Sequence, residues 1–267
     1  MINRSLLVLV LLAAIGFLLA PIIVVVAASF SGGAVMSFPP KDFTTHWYSE
    51  IPQSFYDAIW VSFVVAAGCA AMSVLVGVPA ALALRRGRFP GRGLLSAVCL
   101  SPLMVPALVT GVALFQCSLV LWDLTGIGLG GTLAGVMLGH LTFGVPFVIR
   151  AVIAGHAQFD LSLEEAAGSL GASALRTFAL VTLPILRPSI VSGAVLAFAM
   201  SFDDVPIALF MGGGSATTLP VQIFTTVQFD LSGDVMAVAS VVIVLSLLVI
   251  VALSRIAGTD LFFGSKQ

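Results

Sequence analysis

Long apolar runs separated by short polar breaks dominate the chain. Six of these runs are long enough to cross about 30 Å of hydrocarbon at a rise of about 1.5 Å per residue. They predict membrane helices over about Leu6–Ser29, Ala58–Leu84, Leu94–Leu121, Thr132–Ile153, Pro188–Met211 and Val235–Leu253. Gly77, Pro79, Pro102, Pro106, Gly111, Gly139, Gly144, Pro146, Gly193 and Pro206 fall inside them. Membrane helices tolerate such residues, because small side chains let helices approach and neighbours satisfy the carbonyls that proline frees. The first run, Leu6 to Ala28, exceeds the roughly 7–15 residues of a signal-peptide core, so it is expected to remain as an uncleaved span.

Composition agrees with this pattern. Of the 267 residues 60% are hydrophobic and 9% charged, and the mean hydropathy is +1.17. Soluble domains carry about 25% charged residues, so this chain has too few charges to cover a water-exposed surface. The net charge of -1 gives no basic excess for nucleic acid. Cys69, Cys99 and Cys117 form no CxxC pair, and they read as small packing residues.

The position of the charges orients the spans. Arg85, Arg86, Arg88 and Arg92 fill the short connection after the second span. Arg150, Arg176 and Arg187 lie in or beside the connection between the fourth and fifth, Arg4 begins the chain, and Arg255 and Lys266 end it. If the spans alternate, all fall on one side and only Lys41 on the other, which predicts both termini in the cytoplasm. On the opposite side, the segment Phe30–Asp57 carries Phe43, Trp47, Tyr48, Phe55 and Tyr56 and predicts an interfacial helix with an aromatic belt. Asp123, Asp230 and Asp234 are expected as solvated groups on that side.

One inner connection, 154–187, is much longer than the other. Long connections are usually functional. A helix is expected from about Ser162, with Asp160 or Ser162 as N-cap and Glu164 and Glu165 in the first turn, where the helix dipole favours anions. Gly171 is expected to end it in the left-handed conformation. A second short helix is expected from Ala174 to Val181, stopped by Pro184, so that the two form a cytoplasmic knob.

The knob carries a resemblance. Glu165-Ala166-Ala167, then Gly171, then Val181 and Leu183-Pro184 resemble the EAA signature of permease subunits in ABC importers. Val181 stands where that signature usually has isoleucine. Trp47-Tyr48, Pro79 to Leu84, Ser201-Phe202-Asp203-Asp204 and Thr217 to Pro220 are similar to the spermidine/putrescine branch, more specifically to the second of its two permease subunits.

The resemblance implies an all-α membrane protein with the type I ABC importer permease fold, residues 1–267 forming one permease domain in a bacterial inner membrane. It implies a coupling helix that seats Glu164, Glu165, Ala166, Ala167, Gly168 and Gly171, with Leu183 and Pro184 behind, in a groove of an ATPase. The implied partners are a homologous second permease subunit, an ATPase dimer and an extracytoplasmic substrate-binding protein. ATP and Mg belong to the ATPase: this chain has no P-loop and is expected to hold no cofactor.

Asp203-Asp204 is the main chemical anomaly of the spans. A carboxylate at a helix centre in the membrane costs about 2.5–3.5 kcal/mol on insertion scales. A pathway for a small organic cation would use such a charge. A structural use is equally open, with Asp204 capping a half-helix that has Pro206 in its first turn. Adjacent helical residues point about 100° apart, so one carboxylate is expected to face the pathway and the other to cap or pair. His140 is expected to hydrogen-bond between helices rather than relay protons, since no carboxylate sits one turn away. No metal-ligand spacing and no nucleophile with a base appears, so the chain reads as a permease and not an enzyme. The leading expectation is half of a polyamine pathway. The alternatives are an importer of another small amine, opine or phosphonate, or a self-contained secondary transporter, which would be expected to show an internal inverted repeat.

Overall fold

A computed structural model describes residues 4–33, 38–40, 42–87, 89–157, 159–229 and 233–257, with backbone alone for Arg4 and 249–257. The sequence features Lys41, Arg88, Asp230 and Lys266 lie outside the described residues. Helices α1 (Arg4–Ala28), α2 (Gln53–Arg86), α3 (Arg92–Leu100), α4 (Ala107–Thr125) and α5 (Leu133–Ala157) follow in order. After them come α6 (Ser162–Ser169), α7 (Ala174–Thr177), α8 (Leu183–Phe202), α9 (Pro206–Met211), α10 (Leu219–Phe229) and α11 (Gly233–Ala257). Five stretches among the described residues are long and apolar enough to cross a membrane: Ser5–Ala28, Gln53–Arg86, Ala107–Thr125, Leu133–Ala157 and Ala174–Phe202. The apolar part of α11 that qualifies, Gly233–Leu248, is shorter.

The third expected span is not one helix. α3 ends at Leu100, Ser101–Met104 form a 3-10 turn, and Val105 is extended with ψ 135° before α4 begins. Pro102 and Pro106 cause the break. Proline removes an amide donor, and its ring drives the preceding residue, here Val105, out of the helical region.

The fifth expected span also departs from the sequence pattern, at both ends. Pro184 does not stop the preceding helix. α7 runs through a π turn at Phe178–Thr182 directly into α8, giving one 29-residue helix, Ala174–Phe202. The wider π turn moves the carbonyl that a proline ring would strike. At the other end the helix stops at Phe202, Asp203–Val205 interrupt it, and α9 resumes at Pro206.

The chain divides into two compact units. The first is Met1–Asp57 with Gln222–Leu253. Here α1 exposes Leu6 to Leu12 and Phe17, while Ala28 and Ser29 at its end are buried. The expected interfacial helix is instead a folded connection. Ser31 bridges Phe43, His46–Tyr48 make one 3-10 turn, and Phe55 and Tyr56 already belong to α2. Side chains hold it: Trp47 Nε1 donates to the Ser31 carbonyl at 2.8 Å, and the Tyr48 hydroxyl lies 2.7 Å from Ser29 Oγ and 2.8 Å from Ser240 Oγ. The polar tips of Trp47 and Tyr48 thus bind Ser29, Ser31 and Ser240.

The second unit is Ala58–Val221 with Ser254–Gln267, and α5 is its centre. α5 buries Val136, His140, Gly144, Val148, Val152 and His156, spaced four residues apart along one face, with Gly139 beside them. At Gly193 on α8 an added Cβ would lie 2.9 Å from the Val148 backbone, so glycine there sets how closely α5 and α8 approach. Two apolar clusters follow along α5. Val65, Val136, Ile207 and Met211 form one, and Val78, Val148, Val152, Leu186 and Ala197 form the other. Cys69, Ser73, His140 and Ser201 occupy the stretch between them, making a polar layer inside an apolar core.

Candidate functional site

The polar layer is built around the break in the fifth span. Asp204 Oδ2 accepts from the amides of Ile207 and Ala208, both at 2.9 Å, and so caps α9. Pro206 occupies the first turn, where a missing amide costs nothing. The same Oδ2 is 3.4 Å from His140 Nε2, close enough for an ion pair if the ring is protonated but outside hydrogen-bond geometry. His140 is fully buried, and its Nδ1 lies 2.6 Å from Ser201 Oγ. Cys69 Sγ and Ser73 Oγ on α2 are 3.8 Å apart. Interhelical hydrogen bonding by His140, as expected from the sequence, is thus present.

Asp203 is placed differently. It is exposed, with no side-chain hydrogen bond or ion pair among the described residues, and it ends α8 near φ -98°, ψ 2°. The two carboxylates divide their work: Asp204 turns inward to cap, and Asp203 turns outward. Beside this break runs a ladder of aromatic rings that the sequence reading did not single out. Trp60 and Phe63 on α2 stack at 6.3 Å, Phe63 meets Phe198 edge-on at 5.9 Å, and Phe198 stacks with Phe202 at 5.9 Å. Trp60 and Phe63 are half exposed or more. The spacings i,i+3 (60, 63) and i,i+4 (198, 202) were available in the sequence as a signal.

The knob is a second constellation. Asp160 Oδ1 accepts the Ser162 amide at 2.9 Å, so it caps α6, and its hydrogen bonds with Ser162 hold its carboxyl below the usual value. α6 closes with Gly171 at φ +81°. The Gly171 amide reaches the Gly168 carbonyl at 2.9 Å and the Ala172 amide reaches Ala167 at 3.0 Å, the two bonds of a Schellman cap. Glu165, Ala166, Gly168 and Gly171 are exposed, and Ala167 is half-buried. Leu170 at the tip is 90% exposed.

Glu164 is turned the other way. Its Oε1 pairs with Arg86 at the end of α2 and accepts from the Thr182 hydroxyl in the π turn. Arg86 Nη2 also donates to Thr182 Oγ1 at 3.3 Å. Leu183 and Pro184 follow directly and are exposed. One carboxylate therefore ties together three elements: the inner end of α2, the knob, and the root of the long helix. Arg86 and Thr182 are separated from Glu164 by 78 and 18 residues, too far for any local pattern to show.

Residues 73–258 match the model of the family described as binding-protein-dependent transport system inner membrane component. The chain belongs to this family. It is 32% identical over 237 residues to the putrescine transport system permease protein PotI of Escherichia coli (strain K12), covering 88% of this chain and 84% of the relative. It is 35% identical over 243 residues to the spermidine/putrescine transport system permease protein PotC of the same organism, covering 90% and 89%. Among solved structures, a bacterial ABC transporter involved in import of the acidic polysaccharide alginate superposes with TM-score 0.71 at 18% identity, over 96% of this chain and 98% of that one. That likeness establishes the importer-permease fold. The chain is thus a permease component of a binding-protein-dependent transport system of the inner membrane and not an enzyme.

Proposed function

We propose that this chain is one of two homologous permease subunits that together enclose the pathway of an ATP-driven polyamine importer, with putrescine or spermidine as cargo. Its relatives PotI and PotC carry these substrates in their names. The observation that supports it most directly is Asp203, an outward carboxylate at a helix break beside the Trp60–Phe63–Phe198–Phe202 ladder. A polyamine is a row of ammonium groups joined by methylenes. Carboxylate and aromatic faces attract the ammonium, and aromatic rings also pack the methylenes.

The coupling knob spans Glu164 to Gly171. Its exposed Glu165, Ala166, Gly168, Leu170 and Gly171 form the face that enters a groove of the ATPase dimer. Glu164 is already engaged by Arg86, so Glu165 is the residue left to pair with a basic group of the ATPase. ATP and Mg reside on that dimer, and this chain holds no cofactor. A substrate-binding protein delivers the cation from outside. Both termini face the cytoplasm, on the side of the arginine-rich connections, with six spans in all. Closure of the ATPase moves the knob, and the helix Ala174–Phe202, about 43 Å long at 1.5 Å per residue, carries that motion as one body towards Asp203.

Reconstitution of the assembled importer in proteoliposomes tests the reading. Uptake of labelled putrescine and spermidine should require ATP and the binding protein, and Asp203→Asn should cut it at least ten-fold with normal assembly. Undiminished uptake by Asp203→Asn would end the pathway role. Uptake of neither polyamine, with transport of another amine from a panel, would end the assigned substrate.

A further inference from the structure

Beneath the knob lies a cavity of about 540 Å³ that the transport reading does not use. Arg85 and Arg86 from the end of α2, Arg92 from the start of α3, and His156 and Phe159 after the core of α5 line it. Glu164 engages Arg86. Arg85 and Arg92 have no ion pair among the described residues. The other nearby carboxylate, Asp160, is engaged in capping α6. Three guanidiniums thus share one cavity with a single carboxylate bound to them.

His156 is the second observation. It is only 4% exposed, yet among the described residues neither Nδ1 nor Nε2 has a hydrogen-bond partner, and the Phe159 ring lies 5.2 Å from its own. A buried imidazole with both nitrogens unpaired carries an uncompensated desolvation cost. An occupant with acceptor oxygens would remove that cost and meet the two unpaired guanidiniums. Planar guanidinium forks fit the paired oxygens of phosphate.

We propose that this cavity binds a phosphate group, held by Arg85 and Arg92 with His156 donating from behind. The group comes either from the headgroup of an acidic phospholipid or from free phosphate. Basic pockets between membrane helices hold such headgroups by the same chemistry. The occupant also meets Arg86, whose other partner is the knob carboxylate Glu164, so binding is felt at the coupling knob.

The chain has 3 histidines, which makes a direct test possible. The full chain, labelled with 15N-histidine in phosphate-free detergent, gives three pairs of ring-nitrogen signals, one pair per histidine, and His156→Gln assigns one pair. Inorganic phosphate or dihexanoyl phosphatidylglycerol should move the His156 signal. Dihexanoyl phosphatidylcholine, whose headgroup is neutralised, and sodium chloride at equal ionic strength should not. A response to phosphate alone identifies a free anion, to the glycerol lipid alone a headgroup, and to both a site for the phosphate group itself. Each supports the proposal. Arg85→Gln with Arg92→Gln should weaken the response about ten-fold or more, since two charge-assisted hydrogen-bond donors are lost. If that double variant aggregates, Arg85→Lys and Arg92→Lys keep the charge, lose the fork and should each weaken the response several-fold. No movement with either anion, an equal response to chloride or phosphatidylcholine, or an unchanged midpoint in the variants would overturn it.

Discussion

Two adjacent carboxylates of identical chemistry have different environments here because the helix breaks between α8 and α9. Asp204 faces the amides of Ile207 and Ala208 and the ring of His140, whereas Asp203 faces outward. Substitution should separate the two roles. Asp204→Ala removes the cap of α9 at a cost of about 1 kcal/mol, typical of a lost N-cap. It also removes the carboxylate 3.4 Å from buried His140 Nε2. The melting temperature of the purified complex should therefore fall. Asp203→Asn should leave it unchanged while impairing uptake. Equal melting of both variants would contradict this division. The sequence marked both carboxylates and even the capping alternative, through Pro206 two positions on. It did not say which was which, because the rotation of each side chain depends on where the helix stops.

Among elements, the central relation is that between the end of α2, the knob and the π turn. The Arg86–Glu164–Thr182 cluster holds α6 against the root of the long helix. Arg86 is 40% exposed and Glu164 19%, so solvent screens part of the attraction and the pair is worth about 1 kcal/mol or less. On the proposed coupling role, its consequence is mechanical rather than energetic. Glu164→Arg should uncouple ATP hydrolysis from transport in reconstituted importer, and Arg86→Glu should do the same. Combined, the swapped pair should recover a substantial part of the coupling. No recovery in the double variant, with intact assembly, would show that the pair does not transmit motion. The cap residues of α6 were readable because capping is local: Asp160 and Gly171 act within four residues of the helix ends. The fate of Pro184 was not. A proline predicts a helix stop only if the helix keeps its usual pitch, and the π turn at Phe178–Thr182 relaxes that condition.

For the whole molecule, the arginine-rich connections set the expected orientation. Single cysteines in a background lacking Cys69, Cys99 and Cys117 can check it. With the chain expressed without the ATPase, Leu170→Cys at the knob tip should react with a membrane-impermeant maleimide only in inverted vesicles, and Ser49→Cys only in intact cells. The reverse pattern would invert the topology. If both positions react from the same side, the number of crossings between them is even, and six spans cannot stand.

What the sequence alone determined was the solvent and the local shape of the knob. Sixty per cent hydrophobic residues in long runs leave lipid as the only tolerable surroundings, and Asp160 and Gly171 bound the short knob helix between them. Both are properties of neighbouring residues along the chain. Tertiary structure alone decided which residues meet across it. The Trp60–Phe63–Phe198–Phe202 ladder, the Arg86–Glu164 tie, the buried His140–Ser201 contact and the arginine-lined cavity around His156 each join helices far apart in sequence. Periodicity shows which face of a helix is apolar. It does not show which other helix that face will meet, because the answer depends on the close approach that Gly193 allows and on the breaks at Val105 and Asp203.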